Sequence, residues 1–181
     1  MMKKILLGFG LLFVALLAVV ATRPSEFRVT RTSVLPGMPT VLFDQVNIHR
    51  KVLAWNPFLK IDPNAKINFG GPEAGVGSVC HWDGNSDLGA GSCTIVESIP
   101  GQLVRCRMDW ERPMQGTATV DFTFKPEGDR TAVTWAMYGK NNFIAKAASL
   151  FFDCEKICGP QFEKGLAALG EVAGSAHLTS K

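Results

Sequence analysis

Five cysteines, three histidines and a single tyrosine are the residues of this 181-residue chain with the most capacity for chemistry. Cys80, Cys93 and Cys106 fall in the middle of the sequence, and Cys154 and Cys158 stand four apart near its end. Such a set can serve as a disulfide, a metal cluster or a reactive thiol. No CxxC or HxxxH spacing is present, so metal binding has no ligand pattern behind it and no metal or cofactor is expected. Five is odd, which leaves at least one thiol free or paired between molecules. The plainest reading treats each cysteine as a small buried hydrophobe. His49, His81 and His177 lack a companion carboxylate pattern, so an enzyme would have to draw on Glu97, Tyr138 and the thiols. Gly70-Gly71-Pro72, Gly75-Val76-Gly77 and Gly89-Ala90-Gly91 are not phosphate loops, because no Lys-Ser/Thr is appended and no helix follows; they read as turns and bulges, the first as part of a mobile entrance.

The elements that position these residues follow from the turns. From Lys66 to Tyr138 short apolar-alternating runs are punctuated by Gly70-Gly71-Pro72, Asn85-Ser86-Asp87, Pro100-Gly101, Arg112-Pro113 and Pro126-Glu127-Gly128-Asp129. A hairpin about Ser86-Asp87 sets Cys80 against Cys93, and one about Pro100-Gly101 sets Ile95 against Cys106. A wider turn near Pro113 gives Met108 opposite Ala118, and one at Glu127-Gly128 gives Phe122 opposite Val133. Opposed residues share a face and strand side chains alternate with period two. The four pairings therefore link into one apolar face: Cys80, Trp82, Cys93, Ile95, Cys106, Met108, Trp110, Val120, Phe122, Phe124, Val133, Trp135 and Met137. The other face collects His81, Asp83, Thr94, Arg105, Arg107, Asp109, Thr119, Asp121, Thr123 and Thr134. Glu97 shares the inner parity and falls at a strand end, toward the rim.

Around this sheet stand a first strand at Phe27-Arg28-Val29, short helices between Thr40 and Trp55, and an amphipathic helix from Asn142 to about Gly174 with a bend at Gly159-Pro160. The apolar sheet face needs a cover, and that helix supplies it. The N-terminus is different in kind. From Ile5 to Ala21 no charge occurs in 17 residues, and only Gly8 and Gly10 are not apolar, after a start of Met1-Met2-Lys3-Lys4. As a helix it would rise about 25 Å, at the lower limit for a bilayer core. An uncleaved membrane anchor is the preferred reading and a cleaved signal peptide the alternative. Lys3 and Lys4 favour a cytoplasmic N-terminus and an extracytoplasmic body, although Arg23, Arg28 and Arg31 pull the other way. The organisation expected is an anchor or signal segment at 1–24, one folded domain at 25–175 and a disordered tail at 176–181. A net charge of +3 with no run of basic residues gives no nucleic-acid footprint, and the composition excludes a disordered chain, a polytopic membrane protein or a coiled coil.

The order of elements is the helix-grip arrangement, an α+β fold with a curved antiparallel sheet around a long C-terminal helix. Phe27-Arg28-Val29-Thr30-Arg31, Trp55-Asn56-Pro57-Phe58, Gly75-Val76-Gly77-Ser78-Val79, Trp82-Asp83-Gly84-Asn85, the run from Thr131 to Gly139, and Phe162-Glu163-Lys164-Gly165-Leu166 resemble the polyketide cyclase/dehydrase branch of the START-like superfamily, also labelled SRPBCC. The resemblance implies a deep apolar cavity between sheet and helix that in relatives holds lipids, sterols, polyketides or quinones. No catalytic motif carries over residue by residue. The expected function is binding, with transport or sequestration, of a hydrophobic small molecule or lipid at the membrane surface. The alternative is an enzyme of polyketide cyclase/dehydrase type in the same cavity; a third reading is an interaction module with a filled core. The ligand-lining candidates are Trp55, Trp82, Ile95, Met108, Trp110, Phe122, Trp135, Met137 and Phe151, set against the reading in which they simply fill a core.

Overall fold

A computed structural model describes residues 2–150 and 153–178, with the side chains of 2–9, 13 and 176–178 outside the description. Helix α1 (Met2–Thr22) leads into strand β1 (Glu26–Pro36), helices α2 (Pro39–Asn47) and α3 (His49–Trp55), and a single 3-10 turn at Phe58–Lys60. Strands β2 (Lys66–Gly70), β3 (Val79–Asp83), β4 (Ala90–Ile99), β5 (Leu103–Arg112), β6 (Gly116–Glu127) and β7 (Arg130–Lys140) follow, then α4 (Phe143–Ala148) and α5 (Cys154–Leu178). The seven strands form one sheet in the order β1-β7-β6-β5-β4-β3-β2, every neighbouring pair antiparallel. The helices that interrupt β1 and β2 let β1 return beside β7, so first and last strands are partners.

Local chemistry sets the boundaries. Pro39 occupies the first turn of α2, where its missing N–H costs nothing. Ile48 is extended and separates α2 from α3. Asn56, ahead of Pro57, is also extended and ends α3 at Trp55. Asp153 starts α5 by accepting from the backbone N–H groups of Glu155 and Lys156 at 3.1 and 3.4 Å. Gly128 takes φ +64° in the two-residue turn between β6 and β7, a conformation that needs glycine.

The expected pairs Cys80 with Cys93, Ile95 with Cys106 and Met108 with Ala118 are all present. Two details differ. Phe122 pairs with Trp135 rather than Val133, because the turn centres on Gly128-Asp129, one residue later than expected. A shift of two along the partner preserves the face, so the inner set is unaffected. At Val96 a bulge resets β4 against β5, so Glu97 pairs with Arg105. Glu97 therefore joins the outer, polar face, and its expected inner parity is wrong.

Two helical covers close over the inner face. From α2 come Leu42, Phe43 and Val46; from α5 come Phe162, Leu166, Leu169 and Ala173, all fully buried at alternating spacings of four and three. Burying Phe162, Leu166 and Leu169 stabilises by about 1.5–3 kcal/mol each. Outside, Arg31 on β1 meets Glu155 and Glu163 of α5, each at 2.6 Å, and fastens the helix to the edge strand.

The C-terminal helix is not continuous as expected. Ser149 caps α4, and α5 begins again at Cys154, running through Pro160 and on to Leu178, three residues into the segment expected as a tail. Residues 179–181 lie outside the described ones. At the other end the last turn of α1 packs on α4: Val20 is buried, and Arg23 donates to the Ser149 carbonyl at 2.9 Å. Among the described residues no helix is long and apolar enough to cross a membrane, so the expected membrane-spanning segment gains no support from the structure.

Candidate functional site

Between the inner sheet face, α3 and α5 is a cavity of about 340 Å³, within the range of small-molecule sites. Its rim holds the exposed residues Ile61, Asp87, Arg112 and Pro113, and its closed end the buried His49, Trp55, Trp135 and Phe162. The wall is overwhelmingly apolar. Of the lining candidates, Trp55, Trp82, Met108, Trp110, Phe122, Trp135 and Met137 stand together on it. Ile95 does not: it is wholly buried in the core cluster beneath. Phe151 lies outside the described residues.

The aromatic end of the cavity is built around Trp135. Its ring stacks on Phe162 with centroids 4.1 Å apart and planes 5° apart, and it lies 4.8 Å from Phe122. Trp55 and Phe58 approach edge-on at 5.7 and 6.2 Å. Trp55 is itself fixed, its indole N–H donating to the Gln45 carbonyl at 3.0 Å. On α5, Gly165 makes room for Trp135: a Cβ there would come within 2.6 Å of the ring's Cζ3.

Sequence reasoning missed His49. Placed outside the sheet by its position in the chain, it is held at the start of α3 beside the Ser78 and Cys93 backbone, only 4% exposed, and lines the cavity. Burial pushes its pKa below the usual value, against the opposing pull of the Ser78 and Cys93 backbone, so the ring is neutral near pH 7. Its Nε2 and the Trp135 Nε1 are buried without a hydrogen-bond partner. A histidine at a helix start carries no periodic signal, so only tertiary structure reveals it. Gly70-Gly71-Pro72, expected at the entrance, instead borders a separate cleft, also lined by Ser78, that shares His49 with the cavity.

Cys80, Cys93, Cys106 and Cys158 all line the cavity, and all five cysteines are free thiols in the structure. Cys80 is pushed up to about 12, mainly by burial. Cys93 is raised well above the ordinary thiol value by its contact with Cys106, then by burial. The Cys154 and Cys158 sulfurs stand 3.7 Å apart, and the hydrogen bond between them holds Cys154 below and Cys158 above the ordinary value. Among the described residues no group of three or more His, Cys, Asp or Glu side chains is arranged to hold a metal ion.

The two residues weighed for acid–base roles are elsewhere. Glu97 meets Arg105 at 2.6 Å, Arg105 also binds both oxygens of Asp121 at 2.8 and 3.0 Å, and the Tyr138 hydroxyl donates to Asp121 at 3.1 Å. This network belongs to the outer sheet face, and neither Glu97 nor Tyr138 reaches the cavity wall. His81 and Asp83 are exposed on the same outer side, as their parity predicts.

No family model matches the sequence, and no curated protein is similar to it. Solved structures do share its fold. The protein CV1439 from Chromobacterium violaceum is similar over 83% of this chain and 97% of its own, at 14% identity and a TM-score of 0.59. The ginseng major latex-like protein 151 from Panax ginseng is similar over 85% and 98%, at 15% identity and a TM-score of 0.54. DynU16, described as a putative protein in the dynemicin biosynthetic locus, matches over 82% of this chain and 48% of its own, at 12% identity and a TM-score of 0.55. These similarities establish the helix-grip fold.

Proposed function

We propose that this protein binds a hydrophobic small molecule or lipid between its sheet and its C-terminal helix. The observation that carries the proposal is the cavity of about 340 Å³ with its wall of tryptophan, phenylalanine and methionine side chains. Apolar surface moved there from water gains about 25 cal/mol per Å². A ligand hiding about 200 Å² of such surface would gain about 5 kcal/mol before the cost of association. The pre-stacked Trp135–Phe162 pair keeps that cost low, since its rings are ordered by their neighbours rather than by the ligand.

The proposal extends to place. The uncharged stretch at residues 5–21 supports tethering at a bilayer, from which an apolar ligand would partition into the cavity with little exposure to water. Membrane fractionation of the full chain against one lacking its first 24 residues tests this part: the full chain sediments with membranes and the shortened one stays in solution. Equal distribution of the two contradicts it.

Uptake of N-phenyl-1-naphthylamine by delipidated protein tests binding. Saturable fluorescence enhancement at one site per chain is expected. It should be lost in Met108→Trp, which fills the cavity from β5. Absence of enhancement, or enhancement unchanged in that variant, overturns the proposal.

A further inference from the structure

One end of the sheet gathers more than the cavity mouth. The pairings of Glu26 with Lys140, Thr119 with Tyr138, Trp110 with Gly116, Ala90 with Arg112 and Lys66 with Asp83 set the start of β1, the end of β7, the start of β6 and the end of β5 together there. Helix α1 enters at that end and α4 leaves from it. The rim residues Ile61, Asp87, Arg112 and Pro113 come from the connections at the same end. Neighbouring strands lie about 4.8 Å apart, so only about 5–10 Å of sheet separates the turn at 113–115 from the start of α4.

On α1, Leu11, Leu12, Val14, Leu16, Leu17 and Val19 are all exposed, and at about 100° per residue they point to every side of the helix. A groove on a partner protein covers one face; side chains apolar all round call for a surrounding apolar medium. Entry alone is asked of α1, since no helix among the described residues is long and apolar enough to cross a membrane. Its last turn packs on α4, where Val20 is buried and Arg23 donates to the Ser149 carbonyl, so α4 lies beside whatever surrounds α1. There Phe143 and Ile144 are 53% and 65% exposed, and Met114 in the neighbouring turn is 47% exposed. Arg23, Lys140 and Lys146 take part in no ion pair among the described residues. Of the acids nearby, Asp153 is held by Lys156 and Glu155 by Arg31, which leaves Glu26. This corner is therefore net positive, which suits anionic lipid headgroups. Along the rest of this end Lys60, Lys66 and Arg112 are matched by Asp62, Asp83, Asp87 and Glu111. The opposite end also exposes apolar residues, Met38, Val76 and Ile99, but it lacks α1 and sets Glu73, Glu127 and Asp129 against Lys125 and Arg130.

Resting on the tethering reading above, we infer that the end of the domain bearing the cavity rim docks on an anionic phospholipid bilayer. Phe143 and Ile144 of α4 and Met114 enter the interface, and Arg23, Lys140 and Lys146 meet the headgroups. The mouth of the cavity then opens onto lipid, and the end that carries Val76 points to water. Tethering alone does not impose this, because a chain held by α1 and nothing else presents no preferred face.

Photo-crosslinking reads the contact directly, with p-benzoylphenylalanine in place of Ile144, of Met114 or of Val76 in the full chain on phosphatidylcholine vesicles containing phosphatidylserine. All three side chains are exposed, so the fold tolerates the replacement. Phospholipid adducts, identified by mass, should form at the positions of Ile144 and Met114 about tenfold more than at that of Val76. Lys140→Glu with Lys146→Glu should lower the yield at the position of Ile144 by about fivefold or more, while flotation with the vesicles through α1 persists. In the unsubstituted chain, amide hydrogen exchange of α4 should slow when vesicles are added. Equal yields at the three positions, adducts to a second protein chain in place of lipid, or exchange of α4 unaltered by vesicles overturn this inference, while flotation of the chain keeps the tether. A chain that stays off the vesicles overturns the inference and the tethering reading together.

Discussion

Cys154 and Cys158 put two sulfurs 3.7 Å apart on successive turns of α5, and the hydrogen bond between them makes Cys154 the more acidic. The thiolate is the nucleophile, so iodoacetamide at neutral pH should label Cys154 first. Cys80 and Cys93, both raised, should stay unlabelled until the protein unfolds; mass mapping that finds them labelled at the rate of Cys154 would contradict the assignment. Cys80 also makes a pH prediction. Its folded pKa of about 12 exceeds the unfolded value near 9, so the unfolded chain loses this proton first as pH rises. Stability is unaffected by this group below about pH 9 and falls between about 9 and 12, by up to ~1.4 kcal/mol per pH unit. Denaturant titration at pH 8, 9.5 and 10.5 should show this slope, and Cys80→Ala should make it shallower, the raised Cys93 and Cys158 supplying the remainder. The inward direction of Cys80, Cys93 and Cys106 was legible in the sequence because turn residues bracket each hairpin. The place of His49 was not, because nothing in its neighbours anticipates that α3 buries the ring beside Ser78 and Cys93.

At the scale of elements, α5 depends on how it begins and on how closely it approaches the sheet. Asp153→Ala removes the oxygen that accepts from Glu155 and Lys156 and should cost about 0.5–2 kcal/mol in thermal or chemical unfolding. Gly165→Ala places a methyl 2.6 Å from Trp135 Cζ3 and 3.1 Å from Pro57 Cδ, and should cost about 1–3 kcal/mol with a changed near-ultraviolet tryptophan signal. An alanine variant as stable as the parent would mean that sheet and helix are less tightly apposed than described. Here too the sequence was informative in part. Phe162, Leu166 and Leu169 announce the buried stripe by their spacing, whereas the break between α4 and α5 is hidden because apolar residues continue through it. The bulge at Val96 is hidden for a related reason: an inserted residue leaves the apolar and polar alternation intact on either side while exchanging its faces, and so Glu97 was misplaced.

Across the whole molecule, one seven-stranded sheet is closed by α2 over one part of its inner face and by α5 with α3 over the rest, and the second closure leaves space. The sequence pattern defined which residues face inward, but apolar periodicity is the same for a filled core and a hollow one. The difference lies in how far α3 and α5 stand from the strands, which depends on contacts such as Gly165 on Trp135 and Arg31 with Glu155 and Glu163. Occupancy of that space is the central claim, and native mass spectrometry of the full chain taken from its own cells tests it most directly. The account predicts a population heavier than the bare chain by one apolar molecule, lost on delipidation and absent from Met108→Trp. Bare chain alone, in parent and variant alike and with no mass gained on adding N-phenyl-1-naphthylamine, would contradict it.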